Sequence, residues 1–201
     1  MHISDGVLPL QELAAGGLGT VALAGGLLMR LDAQKIPRVA FCASFFFVAS
    51  IVPIPIGPTS VHLLLVGLVG IIMGPWAFLP ILFGLALQAL LGYGGKTSLG
   101  VNALVMGLPA YPAYYLFRLE KRVRLRGSTF IFGFLAGAGA VAVALALLKF
   151  VLSMAGEEFI GVAWAVVVAY IPVAIVEGLV TGFAVSLLKK VNPQILEPSD
   201  A

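Results

Sequence analysis

The sequence predicts an all-α integral membrane protein, a bundle of about seven transmembrane helices. Hydrophobic residues make up 61% of its 201 positions and charged residues only 10%, a composition typical of membrane proteins rather than of soluble domains. The apolar residues form long uncharged segments, and most basic residues fall in three clusters between them. Such a separation of charge from apolar segments is what membrane orientation requires.

Seven apolar segments can be read along the chain, at roughly 10–29, 39–52, 60–73, 75–91, 99–117, 128–153 and 161–188. A crossing needs about 20 residues at ~1.5 Å each, so the second, third and fourth segments are short. They belong to one uncharged stretch that prolines interrupt at 52–58 and at Gly74-Pro75. Proline lacks an N–H group and restricts the residue before it, so both places are predicted to be turns.

The basic clusters set the predicted orientation. They lie at 30–38, 118–126 and 189–190, and basic clusters favour the cytoplasmic face. With all three clusters on that face, an even number of crossings must separate one cluster from the next. Four segments lie between the first and second clusters and two between the second and third. The first segment precedes all three clusters, which gives seven crossings with the N-terminus outside and the C-terminus inside. We predict one transmembrane domain over 1–191 and a short, loose cytoplasmic tail over 192–201.

Small residues recur at helical spacing in the first and sixth segments. Pairs such as Ala15/Gly19 and Gly133/Gly137 let helices approach closely. They favour either packing within the bundle or docking of a partner membrane subunit, and the sequence leaves both open. The single cysteine, Cys42, lies in an apolar run and is interpreted as a small packing residue.

The amino terminus is the most informative stretch for function. A free amine on Met1, the amide nitrogen of His2 and the imidazole of His2 can form fused chelate rings around one metal ion. A fourth nitrogen completes a square-planar set, the geometry typical of Ni(II) and Cu(II), and His62 is the only other histidine. The predicted topology places both histidines near the outer face, with His62 about one turn into the third segment. We therefore predict a metal site of Met1, His2 and His62, with Met1 retained; His62 alone would equally suit a hydrogen bond between helices.

Four polar residues near the outer face are predicted to support this site: Asp5, Ser60, Gln88 and Asn102. Asp5 is expected either to accept a hydrogen bond from a ligating imidazole or to cap the next helix. Gly6 permits a positive-φ turn that would aim the terminus inward. Glu177 lies about 24 Å below the outer end of its segment at ~1.5 Å per residue. It is predicted to be too deep to touch the metal, and to contact a partner or bond across helices.

Other function classes find less support. The sequence contains no acidic metal cluster, Cys-x-x-Cys or His-Glu-x-x-His pattern, so zinc-hydrolase chemistry is not indicated. A stand-alone secondary transporter or channel for a divalent metal is the alternative, and it would need polar groups along a path through the membrane. An intramembrane hydrolase using Ser60 lacks the Gly-x-Ser-x-Gly elbow. The net charge of +3 does not indicate a nucleic-acid partner.

Several stretches of the chain, which together cover nearly its whole length in order, resemble one known family. They are Met1-His2-Ile3-Ser4-Asp5-Gly6-Val7-Leu8, Val52-Pro53-Ile54-Pro55, Thr59-Ser60-Val61-His62-Leu63, Leu68 to Gly74-Pro75-Trp76, Gln88-Ala89-Leu90-Leu91 and Leu99-Gly100-Val101-Asn102. The N-terminal Met-His and the Thr-Ser-x-His are the specific motifs. The resemblance is to the CbiM/NikM family, the substrate-binding (S) components of energy-coupling factor (ECF) importers for cobalt and nickel.

The resemblance implies a seven-helix bundle with its N-terminus tucked inward. It implies a metal held near the outer face by the amine of Met1, the amide and imidazole of His2, and His62. The implied role is uptake of Ni2+ or Co2+ through a prokaryotic cell membrane, for cobalamin synthesis or nickel enzymes. The implied partners are a transmembrane coupling (T) subunit, two cytoplasmic ATPase subunits and often a small accessory membrane subunit. The sequence has no P-loop, so ATP is expected to be hydrolysed by another polypeptide. The implied role is that of a binding and translocation subunit, not of an enzyme.

Two departures from the family pattern leave the choice between cobalt and nickel open. The usual glycine-rich loop reads Ile56-Gly57-Pro58 here, and Val61 stands where a small residue is common. The Asp5-Gly6 form, in place of Glu-Gly, gives a preference for nickel.

Overall fold

Helices account for most of the chain. The computed structural model describes residues 2–51, 53–56, 59–123 and 125–197, with the backbone alone at 53–56 and 59–61. Short turns of 3-10 helix join several of the α-helices. The α-helices in chain order are α1 Leu10–Leu28, α2 Ile36–Ile51, α3 Val66–Met73, α4 Phe78–Leu90, α5 Leu99–Gly107, α6 Ala110–Arg118, α7 Ser128–Ala155 and α8 Ile160–Val191.

The lengths of the helices fit a membrane protein. Among the described residues, α7 and the segment 157–191 that contains α8 are long and apolar enough to cross a bilayer alone, with mean hydropathies of 2.4 and 2.5. The helices α1 and α2 pass the same test only as a pair, and the pair is bent by 111°. The prediction of a helical membrane protein is therefore confirmed, while several of its helices are shorter than the ~20 residues that a crossing requires.

The structure adds a β-hairpin that the sequence analysis did not predict. Strand β1 (Pro53–Ile56) pairs antiparallel with β2 (Thr59–His62), so that Pro53 lies opposite His62. The two prolines of β1 cannot continue a helix, and β-branched residues in β2 favour a strand. His62 therefore ends a strand and does not lie one turn into a helix, because α3 begins only at Val66.

The predicted fifth segment, 99–117, is also divided. It forms α5 and α6, with the break at Leu108 and Pro109. Pro109 has no N–H group to bond back to the preceding turn, so a continuous helix is disfavoured there.

The short helix α3 lies at the centre of the bundle. Seven of its eight residues are buried. Gly70 packs against the backbone of Ala110 in α6, and Gly67 lies against the backbone of Gly137 in α7. Only glycine leaves room for backbones to approach this closely. The segment that follows His62 is therefore held firmly by two neighbouring helices.

The small glycines of the sixth apolar segment pack inside the chain. Gly133 of α7 lies against Gly182 of α8, and Gly137 lies against the backbone oxygen of Glu177. In α1, Gly19 lies against the side chain of Leu104 in α5, while Ala15 is exposed. Packing within the bundle, one of the two predicted alternatives, is therefore present at Gly133, Gly137 and Gly19, and docking of a partner subunit stays a prediction for the exposed face of α1.

Glu120 joins three elements near the C-terminal end of α8. It lies just after α6 and is mostly buried. Its carboxylate accepts hydrogen bonds from the Ser128 hydroxyl (2.8 Å), the Thr129 hydroxyl (2.9 Å) and the Lys189 ammonium group (2.7 Å). The end of α6, the start of α7 and the end of α8 are thereby tied together.

The residues after α8 are also attached to the bundle. The side chain of Arg38 donates a hydrogen bond to the carbonyl oxygen of Ile195, and Leu196 packs against the hydrophobic core. The prediction of a loose tail over 192–201 is therefore wrong for residues 192–197, which these contacts hold; residues 198–201 lie outside the described part.

We expect Gly70→Ala to destabilise the protein. The added methyl group would overlap the backbone carbonyl oxygen of Ala110, which cannot turn aside, and overpacking of this kind costs about 1–3 kcal/mol. Gly25→Ala is the matched control, since a Cβ there meets nothing within 4 Å and alanine favours a helix by about 1 kcal/mol over glycine. The measurement is the thermal unfolding midpoint in detergent. Equal midpoints for the Gly70→Ala variant and the unmodified chain would contradict close packing of α3 on α6.

Candidate functional site

Two imidazole rings meet at one place in the structure. The ring centroids of His2 and His62 are 5.2 Å apart, and the ring planes differ by 15°. His2 belongs to the N-terminal arm, which we define as residues 2–9, and His62 ends β2. Two ring nitrogens bound to one ion at about 2 Å each lie at most about 4 Å apart, a geometry within reach of rings at this separation. The structure thus brings together the two histidines that the sequence analysis paired.

Asn102 on α5 holds the N-terminal arm. Its Oδ1 accepts a hydrogen bond from the backbone N–H of Ile3 (2.9 Å), and its Nδ2 donates one to the Ile3 carbonyl (3.0 Å). The Ser98 hydroxyl donates to the same carbonyl (2.6 Å). Ile3 is only 3% exposed, where an unpaired amide would cost about 1–3 kcal/mol. Asn102 therefore pairs with the N–H and the C=O of Ile3 as a neighbouring strand would, and so fixes the residue next to His2.

Asp5 fastens the arm at a second point. Its carboxylate accepts hydrogen bonds from the Thr97 hydroxyl (2.6 Å) and from the backbone N–H groups of Thr97 (2.8 Å) and Lys96 (3.0 Å). The bond from the Thr97 hydroxyl, followed by the backbone bonds, lowers the pKa of Asp5 to about 2. Helix α1 starts after Pro9 without a side-chain cap. Asp5 therefore anchors the arm to the loop before α5, and neither caps the helix nor bonds to an imidazole among the described contacts.

Glycines on both sides of this contact allow the arm to fold inward. Gly6 has a φ of +83°, so the predicted turn at this residue is present. A Cβ at Gly95 would lie 2.8 Å from both an Asp5 carboxylate oxygen and the Ile3 carbonyl oxygen. Gly94, with a φ of +93°, lies directly beside the His2 ring. Neither Gly94 nor Gly95 was predicted to belong to the site, although a glycine pair shortly before a helix is a signal for close approach of another backbone.

The two rings are suited to bind a metal as neutral ligands. His62 Nδ1 lies 3.2 Å from the carbonyl oxygen of Leu63. In the tautomer that donates to this carbonyl, Nε2 carries the lone pair, and it is this nitrogen that would bind a metal. Burial, with nearby positive charge as a lesser cause, lowers the pKa of His2 to about 3. The His2 ring is therefore unprotonated at physiological pH.

The remaining predicted residues lie at other positions. Gln88 donates from Nε2 to the Ser50 hydroxyl (2.7 Å) and so joins α4 to the end of α2, just before the hairpin. Ser60 pairs with Pro55 in the hairpin, and its side chain lies outside the described part. Met1 also lies outside the described residues. Within the described ranges, no three histidine, cysteine or carboxylate side chains converge to hold a metal.

Glu177 reaches closer to this site than its depth along α8 suggested. Its carboxylate accepts hydrogen bonds from the backbone N–H groups of Leu64 and Leu65, with both oxygens 2.9 Å from the Leu65 nitrogen. These residues follow His62 almost directly. His62 was predicted to lie about one turn into a helix, whereas it ends β2, and Glu177 bonds to the residues between His62 and the start of α3 at Val66. The expected bond across helical segments is present, but it is made to backbone groups beside the histidine.

Comparisons with known proteins identify the family of the chain. Residues 2–195 match the CbiM family model, described as a cobalt uptake substrate-specific transmembrane region. The chain is 37% identical to a putative metal transport protein of Haemophilus influenzae, over 100% of this chain and 98% of that one. It is 35% identical to the cobalt transport protein CbiM of Sorangium cellulosum, over 98% and 95% of the two chains.

Two further matches are a relative that covers part of the chain and a solved structure that shares its fold. A fused nickel transport protein NikMN of Rhodobacter capsulatus is 36% identical over 54% of this chain and 33% of its own length. A crystal structure of a transition metal transporter has the same fold, with a TM-score of 0.72 at 24% identity, over 98% of this chain and 96% of that one.

We expect Asn102→Ala to loosen the arm. The substitution leaves the buried N–H of Ile3 without a partner, and a loss of about 1–3 kcal/mol would speed amide exchange in a peptide covering residues 3–9 by about 10- to 100-fold. Gln88→Ala is the control, since it removes a buried amide that bonds elsewhere and should leave exchange in the arm unchanged. The measurement is hydrogen-exchange mass spectrometry in detergent. An arm that exchanges at the original rate in the Asn102→Ala variant would refute the anchoring role.

Proposed function

Because the chain belongs to the CbiM family of cobalt-uptake transmembrane proteins, we propose that it is the substrate-binding (S) component of an ECF-type importer for Ni2+ or Co2+. Members of this family are membrane components for cobalt and nickel transport, not enzymes. The observation that carries the proposal is the pair of imidazoles, His2 and His62, with ring centroids 5.2 Å apart. Each ring is held by its own backbone attachment, so both can act as ligands of one ion.

The proposed site contains four nitrogens. They are the amine of Met1, the amide nitrogen of His2, the imidazole of His2 and the imidazole of His62. Two imidazoles alone would leave an ion undercoordinated, and no third metal-binding side chain joins them among the described residues. Backbone and terminal nitrogens are the remaining donors next to His2. The bonds from Asn102 to Ile3 support this arrangement, because they fix the residue next to His2, whose ring lies beside that of His62.

Nickel is the metal that we favour. Four nitrogens in one plane suit Ni(II), and the Asp5-Gly6 form of the arm gives the same preference. Cobalt is the alternative, since relatives carry the names of both metals. Cu(II) binds such ligands at least as tightly by intrinsic affinity, so the ligand set alone does not select nickel. The captured ion would serve cobalamin synthesis or nickel enzymes.

Seven crossings of a prokaryotic cell membrane are proposed, with the N-terminus outside and the C-terminus inside. The transmembrane domain is 1–191, followed by a short cytoplasmic tail at 192–201. The basic clusters between the apolar segments support this orientation. Crossings that short helices cannot complete alone would be made by consecutive helices, such as α3 with α4.

Partner subunits supply the energy in this proposal. They are a transmembrane coupling (T) subunit, two cytoplasmic ATPase subunits and a small accessory membrane subunit. A substrate-binding subunit needs no nucleotide site of its own, and the sequence carries no P-loop. ATP-driven rearrangement of the partners would open the bundle inward and disturb the arm, which loosens the chelate.

Adding one residue before Met1 should weaken Ni2+ binding by at least about 100-fold. This is more than the loss of about 10- to 100-fold that usually follows removal of a residue that only orients a ligand, because here a ligand itself is removed. The extension keeps every side chain but moves the terminal amine away from the chelate. The control carries the same added residue after Ala201. Binding of Ni2+, Co2+ and Cu2+ to the purified proteins is measured by isothermal titration calorimetry. Equal affinity with and without the N-terminal residue would exclude the terminal amine as a ligand.

Uptake of radioactive nickel into liposomes should require ATP and the partner subunits. The chain alone is expected to bind the metal without accumulating it, because the apolar segments that follow His62 contain few ionisable residues in the sequence. The comparison uses liposomes that contain the chain alone or the complete importer, each with and without ATP. Uptake by the chain alone without ATP would instead support the alternative function, a stand-alone secondary transporter or channel.

A further inference from the structure

Glu177 is a fully buried carboxylate in the middle of a membrane helix. Its exposed fraction is 0%. A charged side chain at such a position is costly unless partners satisfy it. Here both oxygens accept hydrogen bonds, from the N–H of Leu64 and from that of Leu65. The partners are backbone groups, so what Glu177 fixes is the course of the chain.

The two N–H groups stand at the start of α3. A helix leaves its first N–H groups without internal partners, and in a capping box a glutamate on the third helical residue accepts from the N–H of the N-cap. Leu65 is the N-cap of α3 and makes no side-chain cap hydrogen bond, and the third helical residue is Leu68. Glu177 performs the role of the capping-box glutamate from a different helix. Its carboxyl group also faces the positive end of the α3 dipole.

Leu65 adopts an unusual backbone conformation at this point. Its φ is +50°, and it is the one non-glycine residue with a positive φ within the described ranges. This region is disfavoured for a residue with a side chain and persists where the surroundings enforce it. The N–H of Leu65 bonds to both oxygens of Glu177. These bonds fix the direction in which the chain leaves the hairpin, three residues after His62.

Helix α8 contacts the end of the hairpin at a second point. Tyr170 lies about two turns before Glu177 and therefore on the same face of the helix. It is buried, and its hydroxyl is hydrogen-bonded with the backbone of His62. One face of α8 thus holds the chain both at His62 and just after it.

We propose that Glu177 is a positioning residue for metal capture, which aims the ring of His62 at His2 by fixing the backbone at Leu64 and Leu65. The inference rests on the proposed function, in which His62 is a metal ligand. Glu177 does not touch the ion. It acts through the backbone that follows the histidine, because its carboxylate holds the N–H groups of Leu64 and Leu65.

The test compares Ni2+ affinity in the purified full-length chain and in three variants: Glu177→Ala, Glu177→Gln and Thr181→Val. Thr181 is the control, because it is buried one turn further along α8 and its hydroxyl has no hydrogen-bond partner among the described residues. We expect an affinity loss of about 10- to 100-fold for Glu177→Ala, the range typical of residues that orient a ligand. Glu177→Gln keeps one acceptor oxygen and should lose less. Thr181→Val should bind as the unmodified chain does.

A double-mutant cycle with His62→Ala separates positioning from a general effect on stability. If Glu177 acts through His62, then Glu177→Ala causes no further loss once His62 is replaced, and the two losses are not additive. The visible absorption bands of bound Ni2+ should also shift in the same direction in the Glu177→Ala and His62→Ala variants. Should Glu177→Ala fail to fold, Glu177→Gln takes its place in the cycle.

The outcomes distinguish this inference from the function on which it rests. Additive losses in the cycle, or unchanged affinity and absorption in the Glu177 variants, would overturn the positioning role while leaving the metal site intact. Failure of the unmodified chain to bind Ni2+ or Co2+ would overturn the proposed function itself.

Discussion

A buried backbone must find hydrogen-bond partners, and this constraint shapes the region around the two histidines. Regular helices satisfy their own N–H and C=O groups, but an irregular segment within a membrane protein cannot, and no lipid group replaces them. The arm meets the requirement through Asn102 and Ser98, which bond to Ile3. The chain after the hairpin meets it through Glu177. Each solution also immobilises a segment that carries an imidazole.

The few buried polar residues of this apolar chain follow the same logic. Thr20 donates to the Gly100 carbonyl and joins α1 to α5, Gln88 joins α4 to α2 through a serine hydroxyl, and Glu120 ties together the ends of three helices. These side chains connect elements whose apolar surfaces fit many arrangements. In a membrane, where packing and hydrogen bonds rather than water drive association, such connections select one arrangement.

The sequence was sufficient for features that depend on composition or on a single residue. The membrane class follows from the scarcity of charge, the pairing of His2 with His62 from there being only two histidines, and the turn at Gly6 from its freedom to adopt a positive φ. The hairpin was not predictable, because a short apolar run with prolines has no periodicity that separates a strand from a broken helix.

Features that depend on distant parts of the chain were also misjudged, because the local sequence does not indicate a contact with a distant segment. The anchoring role of Asp5 requires the loop at 94–97, some ninety residues away, and nothing local to the arm indicates it. The depth of Glu177 was estimated along its own helix, whereas its bonds to Leu64 and Leu65 depend on a hairpin more than a hundred residues earlier in the chain. The number of crossings stays a prediction, since several helices are too short to count one by one.

The length of α8 gives the surrounding lipid an influence on the histidine pair. Its 32 residues span about 48 Å at ~1.5 Å each, well beyond a hydrocarbon thickness of ~30 Å. A helix with such a hydrophobic mismatch tilts to fit its bilayer, and most residues in the most apolar part of the segment 157–191 are not buried within the chain, so lipid can act on them. Because the same helix carries Tyr170 and Glu177, a change of tilt would alter the angle at which His62 meets His2. Acyl-chain length is therefore expected to tune metal affinity through the backbone that α8 holds.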